Sequence, residues 1–190
     1  EEERIRSVQK YRALKANSKV AYALIKSGEY YETSLEDSSI LFGNKDAKMR
    51  VTILSNPHCN PCARMHKRVE NLLQISDQAI CVQYIFSSFN KELEDSSRYL
   101  IYKYFGNTQD KALKEFDLWY SKEKYEYNSI LRRNSTLIYT KMIETEMAKH
   151  EKWRKRTSLI ETPTILVNGY KLPKEYSIED LAMLTSCNII

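Results

Sequence analysis

"RVTILSNPHCNPCARMHKRVENLLQISDQAICVQYIF", residues 50–86, changes its hydrophobic period twice. It opens with "RVTILS", an apolar, β-branched run of the kind that forms a central strand buried on both faces. From Cys62 the apolar positions recur at three and four (Cys62, Met65, His66, Val69, Leu72, Leu73), which marks one face of an amphipathic helix. "AICVQYIF", residues 79–86, restores a strand pattern. Strand, helix and strand in this order predict a right-handed crossover that joins two parallel strands.

Cys59 stands where the first strand gives way to the helix. Pro57 and Pro61 flank it, at positions where a helix start needs no amide donor. A thiolate there faces unpaired backbone N–H groups and the positive end of the helix dipole, and cysteines so placed have pKa values of about 3.5–7.5 against roughly 8.5 for a free thiol. Cys59 is therefore the expected nucleophile. Cys62, one turn further in and on the apolar face, is the expected buried thiol that resolves a mixed disulfide. His58 directly precedes the nucleophile; an imidazolium there would favour the thiolate further, and a plain surface histidine is the alternative. The same stretch admits a metal reading, since Cys59, Cys62 and His66, with His58, offer thiolate and imidazole ligands suited to zinc or copper. Against it, the second well-spaced ligand pair of a zinc knuckle is missing, His150 is the only other histidine, and His66 falls on the apolar face as a core histidine would. A passive structural disulfide is a third reading, and the residues alone leave all three open.

Outward from this unit, the first 30 residues read as helix. Ile5, Val8 and Leu14 fall roughly on one face, Asn17-Ser18 offers a break and cap, and Gly28 a stop. Such a segment suits a docking helix or the lead-out from a preceding membrane span. "SILFGNKDAK" supplies a short strand and a polar turn over residues 43–46. Residues 92–156 contain no proline and one glycine, Gly106, with Tyr99, Leu100, Tyr104, Leu113, Phe116, Trp119 and Tyr120 at helical spacing. This predicts an inserted bundle of three or four helices, in which the tyrosines serve mainly as core and packing positions. "TPTILVNGYKLP", residues 162–173, predicts a hairpin about Asn168-Gly169, and "SIEDLAMLTS" a last helix capped by Ser177. Pro163 sits at a strand entrance, where a missing amide donor is tolerated. If the Thr162-Pro163 bond is cis, it turns the chain and leaves the Thr162 backbone free to pair with an extended peptide; a trans proline capping the strand is the alternative.

Composition bounds the function. The chain has 190 residues, 42% hydrophobic and 29% charged, enough for one or two domains with a substantial core. No apolar run approaches the roughly 18 residues of a spanning helix. Residue 1 is glutamate, as in a processed protein or a piece cut from a longer one. The formal charge of +5 is spread along the chain. Its densest basic run, "KHEKWRKR" at 149–156, could touch phosphate or an anionic membrane, but reads better as a solvated helix face with Trp153 turned inward. No nucleic-acid partner is expected. Cys81 and Cys187 stand alone in apolar surroundings and are expected to be buried, inert thiols, with a disulfide between them as the alternative.

"FGNKDAKMRVTILSNPHCNPC", the helical insertion and "TPTILVNG" together resemble the thioredoxin superfamily, and within it the DsbA-like disulfide oxidoreductases of the bacterial envelope; the likeness covers most of residues 38–187 in the right order. More narrowly, "SNPHCNPCARMH" with "TPTILVNGYKLP" is similar to the thioredoxin-like domain fused to bacterial vitamin K epoxide reductase-type membrane proteins. The resemblance implies an α/β, thioredoxin-like fold with a helical insertion between the βαβ unit and the cis-proline hairpin. Residues 1–30 would be an N-terminal helical segment next to the membrane part, and 31–190 the thioredoxin-like domain, with its insertion at 92–156. It implies Cys59 as attacking and Cys62 as resolving thiol, Thr162 and Pro163 as the peptide-docking pair, and His58, Asn60 and Pro61 as supporting residues. The cis-proline loop would block metal access, and neither metal nor organic cofactor is implied. Expected partners are cysteine-containing substrate proteins and a membrane redox partner or fused membrane domain that takes up the electrons. The expected location is extracytoplasmic, on the periplasmic side, tethered to the membrane. A copper- or zinc-binding carrier is the alternative function. One position departs from the pattern: many relatives carry a buried acid six residues before the first cysteine, and here Ile53 stands there. A water, a histidine or another acid must then serve the resolving thiol, or resolution is slower.

Overall fold

A computed structural model describes residues 1–88 and 90–185, with Glu92 as backbone only. Its sheet contains β1 (Leu41–Gly43), β2 (Met49–Ser55), β3 (Ile80–Phe86), β4 (Thr164–Val167) and β5 (Tyr170–Lys171), in the order β1-β3-β2-β4-β5. The pairing of β2 with β3 is parallel, as the strand, helix, strand pattern requires, and the other pairings are antiparallel. Before the sheet come α1 (Glu2–Ala16) and α2 (Ser18–Lys26); α3 (Asn60–Ile75) joins β2 to β3. The insertion comprises α4 (Glu94–Phe105), α5 (Gln109–Ser121), α6 (Tyr127–Arg133) and α7 (Lys141–Thr157), and the described chain closes on α8 (Leu181–Leu184). This is the mixed α/β architecture with a helical insertion expected from the sequence.

Because side chains alternate along a strand, the central strands bury both faces. Ile53, Val82 and Tyr84 pack on one face with Cys62, Val69 and Leu72 of α3 and with Phe116 and Trp119 of α5. Leu54, Ile85 and Leu166 pack on the other with Trp153 of α7 and Leu159. The second face also carries polar groups, and they are satisfied: Thr52 Oγ1 donates to Gln83 Oε1 at 3.1 Å, while Gln83 Nε2 donates to the carbonyls of Ser34 and Ser38. Trp153 does face inward, and the basic run around it is a solvated face whose Arg154 and Arg156 pair with Glu151 and Asp37.

Turn chemistry matches the special positions. Gly43 has φ +82°, and a Cβ there would lie 2.4 Å from the Ile80 carbonyl oxygen. Asn168 and Gly169 both have positive φ, as a two-residue hairpin with strand-matched twist demands. Ser177 caps the last helical segment in a reciprocal box with Asp180.

Neither sheet edge presents a free row of amides. At β1 the Leu41 N–H and carbonyl both bond to the Tyr104 hydroxyl, and Gly43 N–H donates to Gln109 Oε1 at 3.0 Å. Along β5, residues 29–31 lie alongside, with Lys171 N–H donating to the Glu29 carbonyl and Tyr31 N–H to the Gly169 carbonyl.

At the N-terminus, Asn17 breaks the chain and caps α2, whose Ala21 and Ile25 enter the main core. Ile5, Val8 and Leu14 do not form a buried face: no residue of α1 is buried. Among the described residues the helix docks through its last two turns, where the Tyr11 hydroxyl donates to the Glu175 carbonyl at 3.4 Å, Lys15 pairs with Asp180 at 2.5 Å and the Lys15 carbonyl accepts from the Tyr176 hydroxyl. Cys81 is a buried free thiol, pushed up chiefly by burial. Cys187, and with it a Cys81–Cys187 bridge, lies outside the described residues.

Candidate active site

The turn from β2 into α3 is organised by Asn56, which is fully buried. Its side-chain oxygen accepts the His58 N–H at 2.8 Å, its carbonyl accepts the Cys59 N–H, and its own N–H donates to Cys62 Sγ at 3.4 Å. Cys59 is the N-cap of α3, in extended conformation (φ −76°, ψ 125°), and its Sγ accepts the Cys62 N–H at 3.3 Å. Pro61 follows in the first turn, where its missing N–H costs no helical bond. Negative charge on Cys59 Sγ would strengthen the bond it accepts.

Cys59 is half-buried, whereas Cys62 is 1% exposed. Burial pushes the Cys62 thiol up to about 12; the Asn56 N–H and the Thr162 hydroxyl oppose this, and Cys59 adds to it. The Thr162-Pro163 bond is cis, and the Cys59 thiol donates to the Thr162 carbonyl at 3.5 Å, so residues 103 apart in sequence meet at one sulfur. The dithiol and the cis-proline loop therefore share one place.

The flanking residues look toward the insertion. The Asn60 side-chain oxygen accepts from Lys124 Nζ at 2.7 Å, and that lysine is itself buried. His58 Nε2 lies 2.7 Å from Ser96 Oγ, and its ring meets Trp119 and Tyr127 edge-on. Burial first, and then the Lys124 ammonium, hold His58 below the usual histidine range. An imidazolium beside the nucleophile is thus disfavoured, and the ring packs between the active-site turn and the insertion instead of lying on open surface. Trp119 completes this seam, donating from Nε1 to the Pro57 carbonyl at 2.9 Å.

Ile53 is buried in the main core. Among the described residues the groups acting on the Cys62 thiol are the Asn56 N–H, Cys59 and the Thr162 hydroxyl, with no carboxylate. Nearby, the Tyr120 hydroxyl and Ser55 Oγ lie 2.7 Å apart, and burial pushes the Tyr120 phenol far up.

The cluster of two thiols and two imidazoles does not assemble. His58 is turned to Ser96, and His66 is a core residue with Nδ1 at 2.9 Å from the Tyr84 hydroxyl. Burial pushes His66 down to about 4, against the Leu113 carbonyl and Asp117. Among the described residues, the one group of three candidate metal ligands within reach of each other is His66, Glu70 and Asp117, without a cysteine. Lys124 and Trp119 as site neighbours, and Asp117 beside His66, come from distant helices and have no local sequence signal.

A paired thiol at a helix start, a buried second thiol and a cis-proline loop against the first define a thioredoxin-fold dithiol protein. The family model described as Thioredoxin matches residues 35–185, and the chain belongs to that family. No curated protein sequence matches it. The fold is similar to that of BdbD from Bacillus subtilis in its oxidised form, at 12% identity and a TM-score of 0.61 over 84% of this chain and 96% of that one. It is also similar to a candidate protein-disulfide isomerase from Pseudomonas syringae (13% identity, TM-score 0.63, covering 79% and 99%) and to the oxidoreductase DsbA from Xylella fastidiosa (12%, 0.56, 85% and 89%).

Proposed function

We propose that this protein is a DsbA-like thiol-disulfide oxidoreductase that oxidises substrate dithiols in an extracytoplasmic compartment. The observation that carries this is the unequal pair: Cys59 Sγ, half-exposed at the helix start, accepts the Cys62 N–H beside the Thr162 carbonyl, while Cys62 lies buried beneath it.

In the oxidised state a substrate thiolate attacks Cys59 Sγ, and the Cys59–Cys62 bond breaks as the substrate–Cys59 bond forms. Cys62 leaves with the electron pair and takes up a proton, and the Asn56 N–H meets its sulfur. The second substrate thiolate then attacks the substrate sulfur of the mixed disulfide. The substrate disulfide forms, and Cys59 leaves toward the Cys62 N–H. Two electrons now rest on the dithiol, and a quinone-linked membrane reductase of the vitamin K epoxide reductase type is the partner that removes them. Thr162 and Pro163 dock the substrate segment, and Asn60, Pro61 and His58 hold the turn. Residues 31–190 are the catalytic domain, and residues 1–30 lead to it from the membrane side, with α2 packed into its core.

Cys62→Ser should accumulate a mixed disulfide when mixed with an unfolded substrate protein that carries a disulfide: the Cys59 thiolate attacks, one substrate sulfur leaves as thiolate, and no Cys62 thiol is present to release the adduct, which is seen as a reducible band on gels. A folded variant that traps nothing would sink the reading. A reduction potential near about −120 mV fits an oxidant, one near about −270 mV a reductant, and one below about −300 mV a passive structural bridge.

A further inference from the structure

Glu70 and Asp117 take no part in the dithiol chemistry, yet they converge on His66 in the seam between α3 and α5. His66 and Glu70 are one turn apart on α3 and share a face, and Asp117 comes from α5. One candidate ligand atom from each lies within 4.8 Å of the others.

The state of the histidine points to a ligand. His66 is 1% exposed; its Nδ1 is held at 2.9 Å by the Tyr84 hydroxyl, and its Nε2 is buried with no hydrogen-bond partner. Buried polar atoms of this kind are few in native proteins. With Nδ1–H donating to the phenol, Nε2 presents a lone pair, which is how a metal-bound imidazole is held by a group behind it. A cation already bridges the carboxylates: Lys67 Nζ is 2.6 Å from Glu70 and 3.8 Å from Asp117. That side chain is 64% exposed and free to swing out.

We infer that His66 Nε2, Glu70 and Asp117 form a site for one divalent cation, separate from the dithiol, that clamps the active-site helix α3 to α5. One imidazole and two carboxylates, with remaining positions for water, suit zinc first and are poor for calcium or magnesium. Lys67 competes with the cation for the carboxylates.

The test is calorimetric titration of the chain with Zn2+ alone, using a protein carrying Cys59→Ser and Cys62→Ser so that the dithiol cannot bind the metal. One zinc per chain is expected, with a melting temperature that rises with Zn2+. Asp117→Asn, at a side chain 41% exposed and so compatible with folding, should weaken binding at least tenfold. Glu70→Gln should do the same, and Lys67→Gln should tighten binding severalfold. No uptake by the folded protein would overturn the site, as would uptake unchanged in both carboxamide variants or a preference for Ca2+ over Zn2+. Because the tested protein lacks the dithiol, the result is independent of the redox activity proposed above.

Discussion

The two cysteines of one motif differ in nearly everything that controls a thiol. Cys59 caps a helix and meets solvent; Cys62 sits under it with its thiol pushed up to about 12, burial being the main cause. Since the thiolate is the reactive form, iodoacetamide near neutral pH should alkylate Cys59 and spare Cys62 in the folded reduced protein, while both react in denaturant; mass spectrometry of the peptides reads this directly. Equal labelling in the fold would contradict the burial of Cys62. At this scale the sequence is informative where local rules operate. Cys59 at a strand-to-helix junction, Cys62 on the apolar face and Pro163 at a strand entrance are each legible from a few neighbours. His58 is not, because its charge state depends on Ser96, Trp119, Tyr127 and Lys124, which reach it from the insertion. The His66-Glu70 spacing was readable on one helix, but Asp117 enters only through the packing of α3 on α5.

Among the elements, α5 and α7 show how the insertion holds the sheet domain. Trp119 of α5 supports the active-site turn through the Pro57 carbonyl. Trp119→Phe keeps most of the ring but leaves that carbonyl unpaired, so a stability loss of about 1–3 kcal/mol is expected in denaturant titration. In α7, Glu146 is buried and accepts from the Ser39 N–H and from Lys149, with His150 Nε2 at 3.3 Å. Burial would raise its carboxyl, but the hydrogen bonds from His150 Nε2, the Ser39 N–H and Lys149 outweigh it and hold it down to about 2. A carboxyl depressed by folding stabilises the protein above its unfolded value of about 4.3, and that contribution disappears as pH falls toward the folded value. Glu146→Gln should therefore cost about 3 kcal/mol near neutral pH, and the gap to the parent should close between about pH 4.5 and 2 in chemical unfolding curves. A gap independent of pH would mean that the carboxylate is not held ionised.

For the molecule as a whole, α1 and α2 are not equivalent. Because no residue of α1 is buried, removal of residues 1–16 should shift the melting temperature by only a few degrees. Removal through residue 26 also deletes Ala21 and Ile25 from the core, and the loss of a buried Ile alone ordinarily costs about 2–5 kcal/mol; thermal unfolding of the two truncations separates the cases. Ile5, Val8 and Leu14 illustrate why the sequence misleads here: helical spacing indicates a face but not whether anything covers it. The order strand, helix, strand, helical insertion, hairpin was legible because each element carries its own period and punctuation. How the insertion folds back onto the active-site turn was not, since that is decided by contacts between segments more than sixty residues apart, such as Trp119 with Pro57 and Lys124 with Asn60.

The closure of the sheet margins carries one more consequence. A margin with unpaired amides is a template for a foreign strand, whether from a client polypeptide or from another copy of the same chain. Here the Tyr104 hydroxyl and the Gln109 carboxamide occupy one margin, and residues 29–31 occupy the other. A foreign strand therefore finds no ribbon to extend along either margin of the described sheet, and a chain whose margins are closed in this way is guarded against edge-to-edge recruitment into an aggregate.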